Sequence, residues 1–592
     1  LTRDPRDLLS GNQLPVLLLV GMTVVLYLPI LRHAFVYDDH RFIAENPAIR
    51  TIGNPLRFFT DPSTVDPSGG WEGIYRPLRT LSFAVEHRLF GGRPGFVHLG
   101  NLLLHVANAL LVYAFLRKLF AGRGVPLLGA LLFAIHPAMV EGVAWASSRD
   151  NGLLVAFFLL AFLVFLRGRD RGRELAGLGL FAALALLSKE TAVMLLPLLA
   201  VHEGCLGAGR GRGAIDAARA TLKRRWRALA VVAVVLVLYL GLRAAVLGAA
   251  YGQRGLPWGD SAAVTRRTGI AALGLGAVRT FLPFLPAPVA FDYEVPLVRE
   301  SADPRFLVPL AAIGIVLGCA LALRRRRPRF TFLVLWFFLI LLPTSSLLYP
   351  INLFFADRFL HLAAVAPLAL LAWGLVSASR RIPILAPVLV AVPILSFLFL
   401  SQRNLAAWES PRTLWAEVLL RSPESPHPRA LHGYAEALAR TPSMRDEAIP
   451  YLRRALELEP EYTTARGSLA RLLFLRGDYA GAVREYRQLV EGVERRGIDP
   501  GNRADYVRAC SVLADVYSGS GHGREAIEYA ERLLAFRPRD AELRHGIGEL
   551  YLEVGDVPVA KRYFEEALEL RPGFAPSVRR LEELREAPGS PR

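Results

Sequence analysis

Two adjacent carboxylates, Asp38 and Asp39, sit in the stretch Phe35-Val36-Tyr37-Asp38-Asp39-His40, just past an apolar run at 14–31. An ionisable group at the exit of a membrane-length segment carries a desolvation cost, so it is paired, lines a cavity or does chemistry. The competing reading is that the acids cap whatever follows, since Asp is a good N-cap residue. Further ionisable residues recur at the ends of later apolar runs: Glu141 one turn past His136-Pro137, then Arg149-Asp150, Lys189-Glu190 and Asp357-Arg358. Helix-end anchoring is the alternative for Arg149 and Lys189. A buried structural acid is the alternative for Glu141, and a salt bridge to neighbouring Asp357 for Arg358. His98, Asn101 and His105 share one helical face by their spacing, which predicts interhelical hydrogen bonds ahead of metal binding. Cys205, Cys319 and Cys510 show neither metal-ligand spacing nor a disulfide framework.

The elements that must position these residues are apolar helices. Hydrophobic residues make up 53% of the chain, too many for an ordinary soluble protein of 592 residues. A span needs roughly 20 apolar residues. Runs at 14–31, 98–116, one ending at His136-Pro137, one beginning after Asn151, then 175–187, 191–203, 228–247, 306–323, 330–348, 360–377 and 383–401 give eleven spans. The Gly- and Pro-rich stretch 269–289, with Pro283, Pro286 and Pro288, reads as a re-entrant or interfacial piece. The first loop, about 32–97, carries Trp71 and the acidic pair. Its preceding run has no small-residue cleavage site, so a removed signal peptide is not expected. The formal net charge of +18 does not indicate nucleic acid, because the arginines cluster in short loops between apolar runs. Arg3 and Arg6, Arg117 to Arg123, Arg167 to Arg173, Lys223 to Arg227, Arg324 to Arg327 and Arg380-Arg381 then mark one side as cytoplasmic. Every acidic or basic candidate above falls on the other side, as does everything from residue 404 onward.

The remainder is soluble in character. Pro426 and Pro460, and again Pro538 and Pro572, are 34 residues apart, and the middle gap is two such periods with an insertion of 10. Gly548, Tyr551, Ala560, Phe564, Ala567 and Pro572 occupy the small and large positions of a tetratricopeptide repeat. The expected organisation is a membrane domain at 1–403, a joint or half repeat at 404–426 with Trp408 and Trp415, repeats at 427–580, and a disordered tail at 581–592. The fold class is all-α: a polytopic helical membrane domain followed by an α-solenoid.

Ordered blocks along the membrane part carry a resemblance. They are Tyr37-Asp38-Asp39 with Asn46-Pro47, Arg76-Pro77-Leu78, His98-Leu99-Gly100-Asn101 with His105, His136-Pro137, and Glu141-Gly142-Val143. Arg149-Asp150, Leu187-Ser188-Lys189-Glu190-Thr191, Pro343-Thr344-Ser345 and Asp357-Arg358-Phe359 follow. In this order, with the repeats behind them, the chain resembles the transmembrane and TPR-containing O-mannosyltransferase-like proteins of the GT-C class of polyprenyl-phosphate-sugar glycosyltransferases. It departs from them at Asp357, where Glu is expected, and at His361, where Tyr is commoner.

The resemblance implies an inverting transfer of a sugar, mannose-like, from a polyprenyl-phosphate donor to a hydroxyl of a protein acceptor recruited by the repeats. It implies no cofactor and no metal. By position in the family's acidic pair, Asp38 is the preferred general base, Asp39 orients the acceptor and Glu141 assists. Arg358 comes first for the donor phosphate, because a guanidinium forks onto phosphate oxygens, and Arg149 and Lys189 follow. The implied location is a bacterial inner membrane with the repeats periplasmic, or an endoplasmic reticulum membrane with them lumenal. Two other readings are a membrane-anchored repeat scaffold without activity, and a related enzyme that glycosylates lipid or glycan.

Overall fold

A computed structural model describes residues 13–65, 73–169, 171–207, 213–248, 261–282, 295–351, 353–421, 426–499 and 501–586. Arg3, Arg6, Trp71, Pro283, Pro286, Pro288 and the tail beyond 586 lie outside the described residues, which contain no β-strand. The chain divides into two compact units, Leu1–Arg421 and Ser422–Arg592.

Each apolar run expected to span is helical in the first unit. Among the described residues, six helices are long and apolar enough to cross a bilayer: Leu14–Arg32, Pro94–Leu119, Ala146–Phe165, Arg219–Leu247, Pro304–Ala322 and Pro383–Ala407. The pair Asp357–Ala363 and Val365–Arg381, bent by 65°, makes a seventh if counted as one. The other expected spans form shorter helices, Gly124–Ile135, Gly172–Ser188, Leu195–Leu206 and Pro328–Leu341, below the roughly 20 residues of a full straight crossing. Gly124–Ile135 is buried along most of its length, so it serves as a core helix between 94–119 and 365–381. By contrast, Val308, Ile315, Val392, Leu395 and Phe399 are exposed on their helices. Such apolar surface is costly in water and neutral in lipid, which makes this an integral membrane unit.

The described part of the 269–289 stretch ends a helix, Ala262–Phe281, which is not among those long and apolar enough to cross a bilayer; the proline-rich remainder lies outside the described residues. The glycines of this helix serve close approach: a Cβ on Gly269 would lie 2.2 Å from the Ser345 carbonyl oxygen, and one on Gly274 would lie 2.7 Å from Pro309. The helix is thereby drawn against its neighbours, and Arg279 and Thr280 at its end reach the polar face described below.

The second unit is a series of helical hairpins: Pro428–Ala439 with Arg445–Leu458, Thr463–Leu475 with Tyr479–Arg496, Arg503–Gly519 with Gly523–Leu534, and Ala541–Glu553 with Val557–Leu570, followed by Ala575–Glu586. Gly548 lets the last hairpin close, since a Cβ there would lie 2.6 Å from the Phe564 ring. The insertion in the middle of the array is taken up by the longer helix Tyr479–Arg496 and the link behind it.

Candidate active site

The acidic turn is built by its own backbone. After the 3-10 turn Leu28–Arg32, Ala34 N–H donates to the Glu409 carbonyl (3.0 Å). Tyr37 adopts φ of 48°, in the left-handed region that a bulky residue rarely enters, at a cost of about 1–3 kcal/mol. This turn sends the two carboxylates to different environments. Asp39 is fully buried, and its carboxylate accepts from Val36 N–H (3.0 Å) and Ser147 N–H (2.7 Å). Burial pushes its carboxyl up to about 7, against the pull of those two amides. Asp38 is half-buried, and its charge acts on the guanidinium of Arg79.

Across the site, the short helix Met139–Ala144 brings Glu141 to Arg358. The Glu141 carboxylate accepts from the Arg358 backbone N–H (2.9 Å) and pairs with its guanidinium. Burial pushes the Glu141 carboxyl above the usual range, with Arg358 opposing. The Arg358 guanidinium is partly exposed and lies 5.1 Å from the Trp145 ring centre. Asp357 is turned the other way, paired with Arg279 of the 262–281 helix (3.0 Å). His136 Nε2 donates to the Thr280 carbonyl at 3.1 Å, fixing that helix end a second time.

A second polar network lies beside the first. Arg76 joins Asp150 (2.9 Å) and Glu190 (2.6 Å), while Lys189 Nζ donates to Asn151 Oδ1 (2.5 Å) and lies 3.4 Å from Asp150. Burial lowers the Lys189 ammonium. Arg149 is enclosed by neighbours: its guanidinium donates to Asn101 Oδ1 (2.7 Å) and the Val97 carbonyl (2.7 Å), pairs with Glu86 (2.8 Å) and stacks on Phe83. It therefore ties the helices Pro77–Phe90, 94–119 and 149–165 together. Asn101 also donates to the carbonyls of Val143 and Ala146, and His105 Nε2 to that of Ala134. Asn101 and His105 thus make interhelical bonds of the kind their spacing predicts, whereas His98 stands edge-on to His33 with ring centres 6.2 Å apart. Among the described residues no three His, Cys, Asp or Glu side chains converge.

Asp38, Asp39, Glu141, Arg149, Lys189 and Arg358 thus belong to one polar region, linked through the 139–150 segment. Sequence reasoning passes over several members. Arg76 appears there only inside a motif. Arg79 is buried, with Nε and Nη2 meeting no hydrogen-bond acceptor among the described residues; it lies one turn further along the same helix, and no spacing rule selects it. Arg279 and Trp145 give no local signal either, and Trp408 and Trp415 read there only as residues of the joint, because their contacts lie far along the chain.

Residues 77–242 match the family model described as dolichyl-phosphate-mannose-protein mannosyltransferase. Residues 444–492 and 512–575 match two models of the tetratricopeptide repeat. Protein O-mannosyl-transferase TMTC1 of Mus musculus is 37% identical over 162 residues, covering 26% of this chain and 17% of that protein. Protein O-mannosyl-transferase Tmtc1 of Drosophila melanogaster is 30% identical over 315 residues, 50% of this chain and 36% of the relative. Protein O-mannosyl-transferase TMTC3 of Homo sapiens is 23% identical over 607 residues, 94% of this chain and 64% of the relative. In each case the chain spans less than two thirds of the relative's length. The mannosyltransferase match contains Arg79, Glu141, Arg149 and Lys189; Asp38, Asp39 and Arg76 precede it and Arg358 follows it.

Proposed function

We propose that this chain transfers a mannose-like sugar from a polyprenyl-phosphate donor to a hydroxyl of a protein acceptor outside the cytoplasm, with inversion. The observation that carries this reading is the division of labour in the acidic pair. Asp39 is committed to two backbone amides, while Asp38 stands half-buried in the turn that follows a membrane-length helix, its charge acting on the buried Arg79 guanidinium. The similarity to protein O-mannosyl-transferases supports the sugar and the acceptor class.

The acceptor oxygen attacks the anomeric carbon from the face opposite the phosphate. Its proton passes to Asp38, and the carbon–oxygen bond to the phosphate breaks with its electron pair left on the lipid phosphate. Negative charge grows on that phosphate, and fixed cations stabilise it most in a water-poor site. Arg358 and Lys189 take this part; Arg149, whose guanidinium is spread over four partners, serves as scaffold. Asp39 and Glu141 position Asp38 and Arg358 rather than touching the reacting atoms. The repeats recruit the protein acceptor, and the clustering of arginines in alternate loops supports a non-cytoplasmic side for them.

The test is transfer by purified protein in detergent with a synthetic polyprenyl-phosphate mannose. Asp38→Asn keeps shape but removes the basic lone pair, so turnover should fall about 10²–10⁴-fold while donor binding persists. Near-normal turnover by Asp38→Asn sinks the base assignment. No transfer by wild type to any protein acceptor favours the scaffold reading.

A further inference from the structure

We propose that Trp415, together with Trp145 and the Trp408 stacked on it, positions the acidic turn. The stretch after the last long apolar helix is then a built part of the site as well as a joint to the repeats. What Asp38 does once positioned rests on the glycosyl-transfer reading; the wall itself does not.

The first compact unit extends to Arg421 and includes the helix Pro411–Arg421. Its approach is pinned at successive points along the chain. Ser401 Oγ donates to the Ile135 carbonyl (2.7 Å) and Asn404 Nδ2 to the Pro137 carbonyl (3.3 Å). Ala34 N–H donates to Glu409 C=O, two residues before the acidic turn begins. Ser410 and Thr413 then exchange backbone-to-hydroxyl bonds of 2.9 and 3.2 Å, starting the next helix at a fixed angle.

That anchoring delivers two indoles. The Tyr37 ring lies between Trp145 (centroids 5.8 Å apart) and Trp415 (5.9 Å), and Trp408 stacks behind Trp145 at 6.0 Å with planes 22° apart. Trp408 and Trp415 are both buried. The wedged ring explains why a tyrosine persists at positive φ: such a conformation survives only where its surroundings over-determine it. With the ring free to swing, the backbone can relax toward ordinary φ, and a change there re-aims the two carboxylates that follow at once. Trp145 also lies under Arg358, so the same wall touches both charge clusters.

The experiment uses the full chain in detergent, comparing wild type, Trp415→Ala, Trp415→Phe and Tyr37→Gly. Two readouts are taken: hydrogen exchange of the backbone amides at 33–46, and kcat and donor KM for mannosyl transfer. Trp415→Ala should speed exchange at 33–46 about tenfold or more by local opening while leaving the second unit's amides unchanged. It should lower kcat by about 10²-fold, as a misplacement of order 1 Å does, with little change in donor KM. Trp415→Phe, which keeps a ring against Tyr37, should recover most of both. Tyr37→Gly tolerates the positive φ without a ring, so it folds even where the tryptophan deletion does not, and should show the same local opening. Unchanged exchange at 33–46 in Trp415→Ala and Tyr37→Gly overturns the proposal. Equal losses in Trp415→Phe and Trp415→Ala, or a donor KM that rises in step with the fall in kcat, overturn it as well. If wild type transfers no sugar, the glycosyl-transfer reading fails, and the exchange data alone still decide whether the wall holds the turn.

Discussion

At the scale of residues, the acidic pair shows how two identical neighbouring side chains acquire different surroundings. Asp39 is enclosed and holds the turn through two backbone amides, while Asp38 beside it is half-buried. The Asp39 carboxyl, raised by burial to about 7, has a consequence for stability. Between its ordinary value near 4 and 7 the folded chain holds a proton that the unfolded chain has released, so stability from this group is full below that window. It declines as pH rises through the window and is constant above it. Asn cannot titrate, so the melting temperature of Asp39→Asn relative to wild type should rise from pH 5 to pH 8. A difference that stays flat across that range would show that Asp39 is ionised throughout.

At the scale of elements, close approach between helices settles what composition leaves ambiguous. Glycine-rich apolar sequence is compatible with a turn inside the membrane or with a helix packed against a neighbour's backbone. In Ala262–Phe281 it is the second, because Gly269 faces a carbonyl oxygen that cannot move aside. Gly269→Ala should therefore cost about 1–3 kcal/mol and lower the melting temperature of the membrane unit. Gly314→Ala is the control: nothing lies within 4 Å of a Cβ there, and alanine improves a helix interior by up to about 1 kcal/mol. Because 262–281 also carries Arg279 to Asp357, Gly269→Ala should disturb the Arg358 turn and reduce transfer more than its stability cost alone implies.

At the scale of the whole molecule, two compact units meet in sequence at Arg421–Ser422. The repeats contain their own core, including Tyr506, Leu513, Ile527 and Ile547. A chain ending at Arg421 should therefore keep transfer to a short hydroxyl-bearing peptide and lose efficiency toward a folded protein acceptor. Full-rate transfer to the protein by the shortened chain would remove the recruitment role. The sidedness has its own measurement. With Cys205, Cys319 and Cys510 replaced, a cysteine at Ser518 should react with an impermeant thiol reagent on intact cells. Reaction only after lysis would put the repeats on the cytoplasmic side.

The sequence by itself determined the helical class, the position of each apolar segment and the repeat period, because hydropathy and a 34-residue recurrence are local properties. It also drew attention to Asp38, Asp39, Glu141, Lys189 and Arg358, since charges are conspicuous at the ends of apolar runs. What only the tertiary structure decided is which partner each charge meets. Arg149 meets Glu86, Asn101 and Val97, and Arg358 turns to Glu141 while its neighbour Asp357 turns to Arg279. Trp415 reads as a joint residue until it stands against Tyr37, 378 positions earlier in the chain. The reason is physical: electrostatic and packing energies depend on distance in space, and a buried charge takes the nearest partner the fold supplies, whatever its place in the sequence.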